Sequence, residues 1–587
     1  MRSALRDIIR SATRVALLIL AGCTLQTATE QDAVVLSIIG SNDVHGVLLP
    51  QENRGGLVTL SGYVDALRAA RRNGAVLLID AGDMWQGTLE SNLTEGAAVV
   101  AIYNAMGYVA AAIGNHEFDF GPEGPKATPT DAGDDPRGAL KRRAREAQFP
   151  LLAANLIDDS TGARVDWLNV RSSIVVEAAG VDVGIIGVVT ADALQTTIAA
   201  NVGGLRIAPL ADTIRREAES LRAAGADIVI VTAHAGGRCH EFTNPADTSS
   251  CEADAEIVRV ANALPAGLVD HIVGGHVHDG VAHVFNGVSV TSAHSHTYAF
   301  SRVDFLVDPA TGRILERRIF PPQPACPFHV DGTCAWAPAP GARAAVYEGH
   351  AVVPDAAVAE IAERAAAAAL ARKREPLGPV LETPFTLKGN PESALGNLMT
   401  DALLQSMDAD VAIHNVSGGI RAILPAGPLS FGAVYEMFPF DNRVVVLELS
   451  GRELREVIAA QAYKSRRRAG ISGLQVTIEC RSEVMQVDMR LSDGRIVDDD
   501  MRVRVVANDF LALGGDDILT PAIPPGGFAI DDSLPLTRDV LVDWFREQRR
   551  LRAEDFLRDG NPNWRGDRDV PSSCRLEDGR VAAQRLR

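Results

Sequence analysis

Short apolar runs punctuate the chain from residue 34 to about residue 305. They cover residues 34–39, 75–79, 174–176, 183–189, 228–231, 271–273 and 288–291, and they are rich in Val and Ile. Runs of this length and β-branched content predict buried strands. Between them, residues 57–72 and 211–224 carry apolar positions at helical spacing. Strands alternating with helices predict α/β layers. Residues 121–138 are rich in Gly, Pro and Asp and predict an inserted surface loop. Prolines and two cysteines crowd residues 321–340 and mark a boundary. The alanine-rich stretch 355–373 follows, with Pro354 and Asp355 suited to a helix start, so a connecting helix is expected. The second half mixes helical patterns (393–407, 452–463) with strand patterns (411–414, 444–449, 503–507). The division expected is a leader at 1–22, a first domain at 34–320, a linker with helix at 321–375, a second domain at 376–550 and a polar, surface-wrapping tail at 551–587.

Charge and cysteine usage narrow the function classes. The net charge of -18 argues against general attraction to a nucleic-acid polymer or an anionic membrane. An acidic protein that handles an anionic substrate must concentrate positive charge locally, through bound metals or a few arginines. At the N-terminus, Arg2, Arg6, Arg10 and Arg14 precede a short apolar run, 15–21, and then Gly22 and Cys23. The run is too short to span a bilayer and suits the apolar region of an export signal. The string Leu20-Ala21-Gly22-Cys23 resembles the bacterial lipoprotein cleavage box, which implies export to the periplasm or cell envelope and a lipid anchor on Cys23. The alternative is an ordinary signal peptide with an incidental cysteine. Setting Cys23 aside leaves six of the seven cysteines, an even number that fits an oxidising compartment. Cys239/Cys251 and Cys326/Cys334 look like local loop staples, and Cys480/Cys574 would tie down the C-terminal tail, although sequence alone does not fix the connectivity.

The chemistry-bearing residues sit where apolar runs end. Asp43 and His45 follow the run 34–39, Asp83 follows 75–79, Asn115 follows 108–113, His234 follows 228–231, and His276 and His278 follow 271–275. Residues i and i+2 of an extended segment face the same way, so each Asp-x-His or His-x-His pair is expected to point at one ion. Strand ends along one sheet edge are where α/β proteins place their sites. The inventory is oxygen and imidazole without thiolate, which suits Zn, Mn, Fe or Co. Two such ions need a shared carboxylate, and Asp83 is the expected bridge. His294 and His296 follow a further strand and are read as either supporting or structural. His240, His283, His329 and His350 are expected on the surface.

The ordered series Asp-x-His, Gly-Asp, Gly-Asn-His-Glu, His and Gly-His-x-His resembles the calcineurin-type metallophosphoesterases. The quintet Asn115-His116-Glu117-Phe118-Asp119 is similar to that of the secreted 5′-nucleotidases. The resemblance implies an αββα metallophosphoesterase sandwich joined by a helix to an α+β substrate domain. It assigns Asp43, His45, Asp83 and His278 to one divalent ion and Asp83, Asn115, His234 and His276 to the other. His116 would stabilise the reacting phosphate and leaving group, with Asp119 orienting it. In the second half, Ser393–Leu398, Ser417–Arg421, Phe438–Asn442 and Phe510–Asp516 resemble segments of the 5′-nucleotidase C-terminal domain. By that likeness Phe440 and Phe510 sandwich a base, Asp516 contacts the ribose, Asn442 belongs to the substrate segment, and Arg421 meets the phosphate or another anion. Two positions depart from the pattern: Val416 stands where many nucleotidases have asparagine, with Asn415 displaced by one, and Ala394 stands where an arginine is common. The implied activity is hydrolysis of nucleotide phosphoesters by a metal-activated hydroxide. Its alternatives are a 2′,3′-cyclic nucleotide phosphodiesterase, a nucleotide-sugar hydrolase, a sulfur-ester hydrolase, or a non-enzymatic nucleotide-binding or adhesion lipoprotein.

Overall fold

The computed structural model describes residues 33–576 apart from 125, 390–391, 463–468, 525–526, 529, 531–533, 559–562, 568–569 and 572. The expected leader and Cys23 lie outside the described residues.

The first strand, Val34–Ser41, is buried almost throughout. It pairs in parallel with Gly74–Asp80 and antiparallel with Ala299–Asp308. Tyr108–Ala112 and short strands extend that sheet on one side, and Arg313–Ile319 closes the other. A second sheet runs in the order Gly280–Phe285, Val288–Ala293, His271–Gly274, Ile228–His234, Val181–Val189, Ser173–Ala178. Leu36, Ile38 and Ile79 pack against Ile185, Ile230 and Val273 between the two sheets. Outside, Gly56–Ala70 and Ala97–Met106 cover the first sheet and Leu210–Ala223 and Glu256–Ala263 cover the second. This is the expected αββα sandwich. His271–Gly274 and Ile228–His234 run parallel, as do Val34–Ser41 and Gly74–Asp80. Their C-terminal ends therefore share one edge, and the site lies there.

The alanine-rich helix forms as Ala356–Lys373, its start capped by Asp355, whose side chain accepts from the Ala357 and Val358 amides. It leads into an α+β domain. Val444–Ser450, Arg502–Asn508, Val411–His414 and Gly470–Ser472 form one of its sheets, and Ala394–Ser406 packs against them. Beside it stands a hairpin, Leu474–Arg481 with Val484–Leu491, whose burial alternates residue by residue. The polar tail does more than wrap the surface. Trp564–Gly566 joins the hairpin sheet, and Trp564 is buried in the domain core. All three expected disulfides form: Cys239–Cys251, Cys326–Cys334 and Cys480–Cys574. His283, expected on the surface, is instead buried in Gly280–Phe285, where its ring nitrogen meets the Glu241 carbonyl at 2.7 Å. Both faces of this strand are covered, and the ring packs beside Phe242 and Phe285.

Candidate active site

The Asp-x-His and His-x-His pairs converge, but not through strand pleating. Val34–Ser41 ends before Asp43, and His271–Gly274 ends before His276. Asp43 (φ 49°), His45 (φ 50°), Asp83 (φ 58°), His276 (φ 75°) and His278 (φ 60°) all occupy the left-handed region. Five of the seven candidate ligands therefore hold backbone conformations that cost roughly 1–3 kcal/mol each and cluster at functional sites. Close approach is enforced at Gly114, where an added Cβ would lie 2.2 Å from Asp83 Oδ1, and at Gly82 (φ 91°), where it would lie 2.8 Å from His234 Nδ1.

Two groups of ligand atoms result. Asp43, His45, Asp83 and His278 form one, and Asp83, His234 and His276 form the other, with the atoms in each within 4.8 Å of one another. Asp83 belongs to both. Its Oδ1 accepts the His116 amide at 2.9 Å, while Oδ2 faces His234 Nε2 at 3.2 Å and His45 Nε2 at 4.0 Å. Asn115 Oδ1 joins the second group, 2.9 Å from His234 Nε2 and 3.2 Å from His276 Nδ1.

This donor set fits divalent ions. A carbonyl only accepts, so His45 must donate Nδ1–H to Gln86 O at 2.8 Å, and His234 its Nδ1–H to Ala81 O at 2.8 Å. Those bonds fix the tautomers and aim both Nε2 lone pairs into the site. There His45 Nε2 meets His278 Nε2 at 3.0 Å. Lone pairs and carboxylate oxygens packed this closely repel unless a cation or proton lies among them. Burial drives His45 far below the ordinary imidazole range, and neighbouring His296 and His278 push the same way. Burial also acts against the charged form of His234, but the Asp83 carboxylate outweighs it and raises that pKa to about 10. The charge that draws a proton to His234 is the one that would draw a metal.

His116 stands beside these groups. Its Nδ1 meets Asp119 Oδ2 at 2.7 Å, and Asp119 Oδ1 accepts from Thr197 Oγ1 at 2.8 Å. Burial lowers the His116 pKa, but the charges of Asp119 and Asp83 more than offset it and hold it above the ordinary value. Arg421 reaches across from the second domain, with Nη2 3.2 Å from His116 Nε2 and its guanidinium 5.1 Å from the centre of the Phe440 ring. Phe440 stacks on His116 at 5.8 Å.

A cavity of about 880 Å³ between the domains gathers Asp83, Asn115, His116, Asp119, His276, His278, Arg421, Phe440, Asn442, Phe510 and Asp516. Asp43 and His234 are fully buried behind it, and His45 lines a neighbouring cavity. Asn442 donates to Asp509 Oδ1 at 3.0 Å, and Asp516 accepts from Asn415 at 2.7 Å. Phe510 lies flat over Gly515, where any side chain would collide with the ring.

Several contributors carried no motif of their own. Glu117 accepts the amides of Asp83, Met84 and Gly114 at 2.9, 2.8 and 2.6 Å and so pins two ligand loops together. Asn42 steadies Asp43 at 2.7 Å, and Gln86 donates to Pro439 O across the domain gap at 3.1 Å. His296 stacks on His45 at 4.8 Å, and its amide donates to Asp43 O, which places it in support of the site. Of these, Glu117 had a sequence signal in its place in the quintet, and His296 in following a further strand.

Known proteins share this two-domain organisation. A calcineurin-like phosphoesterase model matches residues 36–280, and a 5′-nucleotidase C-terminal domain model matches residues 377–522. Endonuclease YhcR of Bacillus subtilis is 27% identical over 515 residues, 84% of this chain but 38% of that longer protein. The 5′-nucleotidase of Vibrio cholerae is 25% identical over 529 residues, 85% of this chain and 88% of its own. The crystal structure of a 5′-nucleotidase precursor from Thermus thermophilus superposes with a TM-score of 0.66 at 24% identity, covering 88% of this chain and 97% of the other. The chain thus carries, in order, a calcineurin-like phosphoesterase domain and a 5′-nucleotidase C-terminal domain with a metal-compatible cluster at their junction, and it is a metal-dependent phosphoester hydrolase.

Proposed function

We propose that the protein is an exported dinuclear phosphohydrolase that releases phosphate from nucleotides. The observation that carries this reading is the pair of ligand groups sharing Asp83, set directly beside His116, Asp119 and Arg421. Asp43, His45, Asp83 and His278 would hold one ion, and Asp83, Asn115, His234 and His276 the other. Bound there, two divalent ions of the Zn, Mn, Co or Fe type supply Lewis-acid charge to the phosphoryl oxygens and the attacking water.

The chain's own residues do the rest. Asp119 holds His116 Nδ1–H, so Nε2, which here accepts from Arg421 Nη2, faces the cleft and would carry the proton for the departing oxygen once the guanidinium turns to the phosphate. Arg421, half-buried and without an acidic partner within ion-pair distance among the described residues, offers its guanidinium to the phosphate. Phe440 and Phe510 take the base between their faces, Asn442 borders it, and Asp516 meets the ribose. The net charge of -18 favours a small nucleotide over a nucleic-acid strand as the substrate. Export and a lipid anchor at Cys23 follow from the N-terminal pattern alone, and replacing Cys23 by Ser is expected to release the chain from membranes.

The deciding experiment is a panel of nucleotides and sugar phosphates with Mn²⁺, Co²⁺ or Zn²⁺, measuring phosphate release. Metal-dependent release from nucleoside monophosphates is expected. Release from non-nucleotide phosphoesters only would remove the nucleotide assignment, and no release from any would remove the enzyme.

A further inference from the structure

Behind the reactive cleft lies a second cavity of about 590 Å³. Gln86, Arg421 and Pro439 line both, so the two cavities meet at Arg421. The second one reaches the metal-ligand groups from the far side, through His45 and His296. Its wall carries Arg54. The loop before Gly56–Ala70 holds this residue in place, because the Gly55 and Gly56 amides donate to Thr297 O at 3.2 Å and Thr297 Oγ1 at 2.8 Å.

Arg54 is half-buried and makes no ion pair or side-chain hydrogen bond among the described residues. Burial lowers its pKa, with Glu52 and Glu436 opposing from a distance. Glu436 is already engaged by Lys373 at 2.8 Å, and Lys373 also holds Glu90 at 2.8 Å. Arg54 and Arg421, both half-buried, thus face one cavity that Glu52 and Glu436 also line, and neither guanidinium makes an ion pair among the described residues. Removing water from such groups is costly unless an anion takes its place. Guanidinium forks match phosphate oxygens in geometry as well as charge.

We propose that this cavity is a second phosphate subsite anchored by Arg54. It holds a phosphate group adjoining the scissile one, supplied by a pyrophosphate-linked nucleotide substrate or by orthophosphate on its way out. The assignment of source rests on the phosphohydrolase reading, whereas anion binding at Arg54 does not.

The test uses the mature chain, with Arg54→Gln and the charge-keeping Arg54→Lys. First, metal-free protein is titrated with inorganic pyrophosphate and with orthophosphate by calorimetry. Arg54→Gln is expected to weaken binding about ten- to a hundredfold, with Arg54→Lys recovering part of the loss. This readout needs no turnover and stands even if nucleotides prove not to be substrates. Second, metal-loaded enzyme is compared on a nucleoside diphosphate and its monophosphate. A rise in the KM ratio assigns the subsite to the substrate's second phosphate. A rise in the inhibition constant for orthophosphate at an unchanged ratio assigns it to the departing product. Equal anion affinity in Arg54→Gln and the parent, with matching melting temperatures, overturns the proposal. If Arg54→Gln melts early, Arg54→Lys decides: a threefold or greater weakening supports the subsite, and parental affinity overturns it.

Discussion

The two sides of the cleft are built on opposite terms. On the metal side, His45 and His234 are tied at one nitrogen to a carbonyl and aim the other at the site, and Asp43 and Asp83 are steadied by amide donors. On the base side, Asn415 Oδ1, Asn508 Nδ2 and both nitrogens of His414 are buried without a hydrogen-bond partner among the described residues. Each such atom costs roughly 1–3 kcal/mol until something meets it. The metal side is preorganised for charge that develops during reaction. The base side keeps its hydrogen-bonding capacity open, as a surface completed by its ligand or by water would.

The comparison breaks most sharply at Asp83. Its two oxygens serve the His116 loop and both ligand groups, so Asp83→Ala is expected to lower both metal occupancies and cut kcat by about 10³ or more. Metal analysis reading two ions per chain in that variant would remove the bridge. Replacing His116 by Ala comes next. Its loss should leave metal content near the parent value while kcat falls about 10²- to 10⁴-fold. A parallel loss of metal would make His116 a structural prop of the site.

The base side should respond in binding and not in turnover. Phe440→Ala and Phe510→Ala are each expected to raise KM for a nucleotide by about tenfold, from lost stacking, with smaller changes in kcat. Phe440 also lies against His116 and Arg421, so its kcat should drop further than that of the Phe510 variant. Equal KM for nucleotides and for a small sugar phosphate in the parent enzyme would show that neither ring stacks on a base.

The same contrast governs what the sequence made legible. Asp43, His45, Asp83, Asn115, His234, His276 and His278 stood out because ligand types recur after apolar runs, and the structure gathers them. The backbone that gathers them was not legible: left-handed turns at five positions depend on tertiary contacts, not on local propensity. Glu117 escaped assignment because it acts on amides, which have no sequence signature. Trp564 escaped because one aromatic in a polar stretch shows no periodicity, although it fills a core. Arg54 showed nothing at all along the chain. Its interest lies in the partner it lacks, which only packing reveals.

The smallest effect tests the comparison away from the chemistry, with two buried histidines. His271, in the first domain, and His414, in the second, are both pushed down to about 3 by burial. Depressed values mean that the unfolded chain binds protons the folded chain refuses. Each histidine's stabilising contribution is therefore full above about pH 6.5 and is lost as pH falls toward 3, at about 1.4 kcal/mol per unit. Their surroundings differ. His271 Nδ1 lies 3.0 Å from both Ser289 O and Ser289 Oγ, whereas His414 has no partner at either nitrogen among the described residues. An apolar replacement of similar size at His414 removes two unmet polar atoms along with the proton penalty. His414→Leu is thus expected to raise the melting temperature, and to raise it more at pH 5 than at pH 7.5. His271→Leu relieves the same acid penalty but gives up the ring's hydrogen bonds to Ser289 and Thr291, so at pH 7.5 it should melt lower than the parent. Melting curves at the two pH values separate these cases. A His414→Leu variant that melts lower at both would mean that this ring is held by a partner such as ordered water, and that the base side is better satisfied than its unmet atoms indicate.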